Sequence, residues 1–122
     1  MAKVILDTNI LIEILKDNKI TISQVNKFDE LYISEITEME LYYGAFNKQE
    51  LLKLKKFISF FNVISVNDDI SNKAKDLIFE YSKSHNLAIP DALICATALI
   101  KNYKLFTYNL KDFRYIENIK LV

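Results

Sequence analysis

Short apolar runs alternate with longer amphipathic stretches from one end of the chain to the other. Val4-Ile5-Leu6, preceded by Lys3, reads as a short buried strand. Ile10 to about Lys16 follows as a helix, with Asp7 or Thr8 as its cap and Leu11, Ile12 and Leu15 inward. A second short helix is expected over about Ser23–Phe28, then a strand at Leu31–Ile33. Ser34 caps a helix that ends near Gly44, with Ile36, Met39 and Tyr43 toward the core, and Ser34 to Thr37-Glu38 loosely resembles a capping box. Gln49–Phe60 is amphipathic, its apolar side formed by Leu51, Leu52, Leu54, Phe57 and Ile58. Val63-Ile64 is a strand, and Asp68–Ser84 is a long helix with Ala74, Leu77, Ile78 and Tyr81 inward. Pro90 opens a further helix, since proline suits a first helical turn. Leu105–Thr107 and Ile119–Leu121 complete the strands.

Strands alternating with helices imply an α/β fold with a parallel sheet and helices on both faces. In such sheets chemistry gathers beyond the carboxyl ends of the strands, where Asp7 falls. The 122 residues, with no linker or repeat, suit a single domain over 1–122, and 51% apolar content suits a packed core. Sixteen basic and sixteen acidic residues cancel, which excludes the broad positive field of a general nucleic-acid coat but not a small RNA-processing site. Cys95 stands alone among apolar neighbours, as a buried core thiol in a protein of the reducing cytoplasm. His85 is the only histidine, which removes histidine-based triads and the usual zinc sites. No leader pattern or membrane-length apolar run is seen, so no membrane partner is expected.

The informative acids sit where an apolar residue is expected. In ISEITEMELYYG, Glu40 lies between the inward positions while Glu35 and Glu38 lie outside, and Gly44 one turn later leaves room beside the carboxylate. In AIPDALICATALI, Asp91 stands in the first turn of a helix apolar on every side, near the positive end of its dipole. In LFTYNLKDF, Thr107, Asn109 and Asp112 follow a strand, and Asn109 or Asp112 can equally be a simple cap. Clustered carboxylates raise one another's pKa values, and a divalent cation relieves that repulsion. Oxygen-only ligands select Mg²⁺ or Mn²⁺ over zinc, and a water kept by Mg²⁺ can attack a phosphodiester.

The ordered set ILDTNILI, TEMELYYGA, IPDALICATAL and LFTYNLKDF resembles the PIN-domain ribonucleases, and more narrowly the VapC toxins of toxin–antitoxin pairs. The resemblance covers essentially the whole chain. It implies a three-layer α/β/α sandwich with a central, mainly parallel sheet of four to five strands. It also implies a Mg²⁺-dependent endoribonuclease, with Mn²⁺ as substitute, acting on single-stranded or looped RNA. The family's acids fall on Asp7, Glu40 and Asp91, its metal ligands, with Asp7 and Asp91 binding the cation directly. Glu40 binds a metal or its water and serves as general base. The fourth catalytic position falls on Asn109, where the wider family often has aspartate, and Asp112 either replaces the missing charge or caps the last helix. Thr8 and Thr107 look like groups that orient the acids. A cognate antitoxin and a homodimer are the implied protein partners. The antitoxin would lay a helix in a groove between Leu11–Leu15 and Leu41, Tyr42 and Phe46, with an arginine or lysine at the acids.

Two other readings compete. Asp7 could be the nucleophile of a phosphoryl-transfer protein, but Asn9 stands where haloacid-dehalogenase phosphatases place a second acid. A non-catalytic PIN-like module that only binds a partner suits the neutral charge, but not the three retained acids. Lys48, Lys53, Lys55 and Lys56 can form an RNA-contacting face or a solvated helix surface. Tyr42, Tyr43 and Tyr108 can stack on unpaired bases or serve packing.

Overall fold

The computed structural model describes residues 2–122. Four strands, β1 (Lys3–Leu6), β2 (Glu30–Ser34), β3 (Asn62–Ile64) and β4 (Lys104–Phe106), form one sheet in the order β3-β2-β1-β4. Every pairing is parallel. Six helices connect and flank them: α1 (Thr8–Leu15), α2 (Lys19–Val25), α3 (Glu35–Tyr43), α4 (Lys48–Ile58), α5 (Asp68–His85) and α6 (Ile89–Lys101). The expected last strand shrinks to a single parallel bridge between Leu121 and Leu105. The expected Ser23–Phe28 helix starts earlier, because Asn18 caps it by accepting from the N–H groups of Ile20 and Thr21.

Alternation along the strands sorts the core into two layers. Ile5 and Leu105 face the cluster built with α5, α6, Phe113 and Ile116. Val4, Leu6, Ile33 and Phe106 face the cluster built with α1, α2, α4 and Leu41 of α3. Each aliphatic side chain fully buried this way stabilises the fold by about 1.5–3 kcal/mol relative to exposure. Helix α6 is buried on most sides, and its small residues Ala92, Cys95, Ala96 and Ala98 allow close approach. Burial pushes the Cys95 thiol up to about 12, so it remains protonated in the core.

Three helix faces differ from the periodicity reading. In α1 the buried residues are Ile10 and Leu11, whereas Ile12 and Leu15 are exposed. In α4 Leu54 and Ile58 are buried and Leu52 is exposed. In α3 the buried residues are Thr37 and Leu41, whereas Met39 and Tyr43 are exposed. Helix α3 begins directly at the carboxyl end of β2, with Ser34 capping the Ile36 N–H. Its Ile36 packs on the α5–α6 core and its Leu41 belongs to the α1–α4 core. A helix laid across the sheet end touches both cores and the polar strand ends between them.

Gly44 has φ −80° and makes no use of its conformational freedom. The left-handed helix caps fall to Asn86 (φ 57°) and Asn102 (φ 59°) instead. Asparagine tolerates that region better than most residues. Asn86→Val is therefore expected to lower stability by about 1–2 kcal/mol, while Asn86→Gly stays near wild type; urea unfolding of both variants checks this.

Candidate functional site

The parallel sheet aims all its carboxyl ends one way, and the site is assembled there. Asp7 follows β1 directly and is only 5% exposed. It caps α1, its Oδ1 accepting from the Thr8 backbone N–H at 2.8 Å. Its Oδ2 accepts from Thr107 Oγ1 at 2.8 Å and from Asn9 Nδ2 at 3.1 Å. Burial raises the Asp7 pKa, the Thr107 and Thr8 bonds pull it back, and the Glu40 charge raises it further.

Thr107 lies one residue beyond β4, outside the strand in which it was expected. Its hydroxyl also accepts from the Asn109 backbone N–H at 3.0 Å. Thr8 faces the other way: its hydroxyl reaches Glu40 Oε1 at 2.7 Å and Thr37 Oγ1 at 3.1 Å. The two threonines thus tie Asp7 to the β4 end and Glu40 to the start of α1.

Glu40 is exposed on α3. Glu38 accepts from the Tyr42 hydroxyl at 2.9 Å, and Glu35 accepts from the Val66 N–H, so both have structural partners. A Cβ on Gly44 would meet nothing nearer than the Glu40 carbonyl oxygen at 3.5 Å, an ordinary contact. The glycine widens the surface without being sterically required. It lines a cleft of about 190 Å³ with Thr8, Ile12, Leu15, Glu40 and Leu41.

Asp91 is half-buried in the first turn of α6, whose N-cap Ala88 provides no side-chain bond. Burial, then repulsion from Asp7, Asp112 and Glu40, lifts its carboxyl to about 6. Asp91 therefore feels the other three acids, and Asp7 feels Glu40. They do not form a tight cage: among the described residues no three His, Cys, Asp or Glu side chains converge closely enough to hold an ion by themselves. The two observations agree, because charge repulsion reaches beyond coordination distance. Asn109 heads the 3₁₀ turn Leu110–Asp112 without a side-chain capping bond, and Asp112 is the residue of that segment whose charge reaches Asp91.

Asn9 carries more of this geometry than its place in the sequence suggested. Its Nδ2 donates to Asp7 Oδ2 and, at 3.3 Å, to Thr107 Oγ1, while its Oδ1 accepts from the Tyr108 N–H at 3.1 Å. Thr37 was likewise missed. The available signal was the polar pair after Asp7 in DTN, and a buried threonine in an otherwise helical stripe. Tyr108, a candidate base platform, has its hydroxyl 2.5 Å from Thr21 Oγ1 and 3.2 Å from Gln24 Oε1, and so pins this loop to α2. Tyr43 is 94% exposed. Lys48, Lys53, Lys55 and Lys56 lie on the exposed side of α4, away from Leu54 and Ile58.

A raised carboxyl pKa makes the folded state the better proton binder between the ordinary value of 3.8 and about 6. Asp91 therefore contributes stability that is present below that window and lost as pH rises through it. In EDTA, Asp91→Asn is expected to melt higher than wild type at pH 7.5, with the difference vanishing near pH 3.5. Equal melting temperatures at both pH values would show that neither burial nor repulsion holds the Asp91 carboxyl above its ordinary value.

The PIN domain family model matches residues 4–118. A curated relative, ribonuclease VapC1 of Rickettsia felis, is 29% identical over 97% of this chain and 93% of its own length. A toxin–antitoxin complex from Klebsiella pneumoniae contains a chain 32% identical to this one, with TM-score 0.83 over 98% of this chain and 95% of that one. A DNA-bound VapBC from Salmonella typhimurium matches at 26% identity and TM-score 0.86, covering 100% and 98%. The alternating strands and helices, the acids at the sheet's carboxyl end and these likenesses converge: the chain belongs to the PIN-domain family and is of the VapC type.

Proposed function

We propose that this chain is a divalent-metal-dependent endoribonuclease that cuts single-stranded or looped RNA and acts as the toxin of a toxin–antitoxin pair. The observation that carries the reading is the half-buried Asp91 carboxyl beside the strand ends, on which the charges of Asp7, Asp112 and Glu40 all bear. Family membership sets aside the reading of Asp7 as a phosphoryl-accepting nucleophile.

The donor set is all oxygen, which fits a hard divalent cation. The absence of a tight cage fits an ion that keeps several waters and touches only one or two carboxylates, as Mg²⁺ does, with Mn²⁺ as substitute. Asp7 and Asp91 would hold it, and Glu40 would hold it or one of its waters. The cation supplies positive charge to the phosphate and polarises water. Asp7 is pre-oriented, since both its oxygens are already engaged by Thr8, Thr107 and Asn9. Glu40 is held through Oε1 by Thr8, leaving Oε2 to take the proton of the attacking water. Asp112 supplies the fourth charge, and Asn109 borders the site through the Thr107 hydroxyl.

The cleft between Ile12 and Leu15 on one side and Leu41 on the other opens beside Glu40. It is the groove for the antitoxin helix, whose arginine or lysine meets the acids. Tyr42 lines a separate cleft with Lys48 and Lys55, and Phe46 is not among the residues that line this one. A second copy of the chain is the other protein partner, supported by the exposed Met39 and Tyr43 beside Ile36.

Purified protein is expected to cut total cellular RNA with Mg²⁺ or Mn²⁺ and not in EDTA. Asp7→Asn and Asp91→Asn should each reduce the rate at least about 100-fold with the circular dichroism spectrum unchanged. Wild-type rates in either variant would remove that residue from the metal site. Gly44→Leu should leave cleavage intact while weakening capture of the co-expressed antitoxin, read by pull-down of the pair.

A further inference from the structure

A second charged region lies at the opposite edge of the sheet, where the strands begin. Lys3 opens β1 and Lys104 opens β4. The β1–β4 register pairs Val4 with Lys104, and the Leu105–Leu121 bridge places Lys120 beside Lys104. Lys3, Lys104 and Lys120 line an open cleft of about 490 Å³ with Asn102 and Tyr103. Lys3 sits over the Tyr103 ring, 5.5 Å from its centroid, and 3.7 Å from Glu30. Asp29 at this edge accepts from the Ala2 N–H. Lys120 donates only to the neutral Asn102 Oδ1, and among the described residues neither Lys120 nor Lys104 forms an ion pair.

Like charges directly opposed on neighbouring strands repel. The carboxyl end of α6, capped by Asn102, offsets them by about half a charge. Lys104 and Lys120 therefore leave the β4 side of the cleft positive by about 1.5 charges. A cleft walled by paired-off neutral groups, an aromatic ring and two unneutralised ammonium groups suits a phosphate, which brings the missing negative charge and several acceptors.

We infer that the cleft formed by Lys3, Lys104 and Lys120 at the amino edge of the sheet binds phosphate, and that this phosphate belongs to the backbone of the RNA being cut. The second half rests on the ribonuclease reading. Asp7 lies four residue steps along β1 from Lys3, roughly 13 Å at about 3.3 Å per residue. A mononucleotide cannot touch both ends. An RNA of several nucleotides, passing around the β4 side, can. The lysines then hold the body of the RNA while the acids meet the scissile bond, and they give a neutral protein a local grip on a polyanion.

The test has two arms. Titration of wild-type protein with inorganic phosphate, followed by amide NMR, should shift Tyr103, Lys104 and Lys120. On the cleavage-deficient Asp91→Asn background, binding of a labelled single-stranded RNA is measured against salt. Lys104→Ala with Lys120→Ala should weaken it several-fold and lower the slope of log K against log salt by about 1.4, near 0.7 per phosphate contact. Lys104→Arg with Lys120→Arg should restore the slope. Phosphate shifts with an unchanged RNA slope would overturn the RNA assignment in favour of a small free anion. Neither response would overturn the site altogether. Phosphate shifts in a wild-type protein that neither binds nor cuts RNA would sink the ribonuclease reading and leave the phosphate site standing.

Discussion

The Asp7 carboxylate is the knot of this molecule. It is nearly inaccessible, yet it accepts three hydrogen bonds: from the N–H that starts α1, the hydroxyl at the end of β4 and the amide of Asn9. A buried carboxylate is costly unless hydrogen-bonded, and the chain supplies those bonds from one strand end and one helix start. The same bonds that make Asp7 tolerable also set its orientation. Structural satisfaction and chemical readiness are here one set of contacts. Thr8 extends the arrangement to Glu40, so the helix lying across the sheet end is registered to the same point.

The molecule is neutral only in sum. Acids gather at the carboxyl edge of the sheet, where helices α1, α3, α5 and α6 begin, and unpaired lysines gather at the amino edge near the end of α6. A parallel sheet makes this segregation natural, since all strands share one polarity, so the strand ends and the helices that start there lie at one edge and the strand starts at the other. Helix dipoles favour acids at the first group of ends and bases at the second. A composition count cannot see such an axis.

Most of the fold was legible because parallel α/β chains write their layers locally. Strand runs such as Val4–Leu6 and the fully apolar α6 need no knowledge of the rest. Helix faces were less legible where the neighbour is not a plain hydrophobic layer. Periodicity put Met39 and Tyr43 inside, but α3 buries Thr37, because what it covers is a polar strand end. Ile12 and Leu15 were read as core for the opposite reason: they are apolar but line an open cleft. The principal acids stood out against apolar surroundings. Asn9 did not, since an asparagine at a helix start has an ordinary explanation, and its role depends on Thr107 and Tyr108 from a distant part of the chain. The fourth position was ambiguous for the same reason, and only through-space repulsion separates Asp112 from Asn109.

The bond from Thr107 to Asp7 joins residues 100 positions apart. Ribosomes add about 5–20 residues per second, and chains fold as segments emerge. Asp7 is therefore made well before its orienting hydroxyl, which follows β1, β2 and β3 and all six helices along the chain. Contacts this distant in sequence also form late in folding, after the loop entropy of the intervening chain has been spent. Until Thr107 is made, Asp7 lacks one of its three orienting bonds. The order of the strands thus sets the order of assembly: the last bond on Asp7 closes only when β4 docks beside β1.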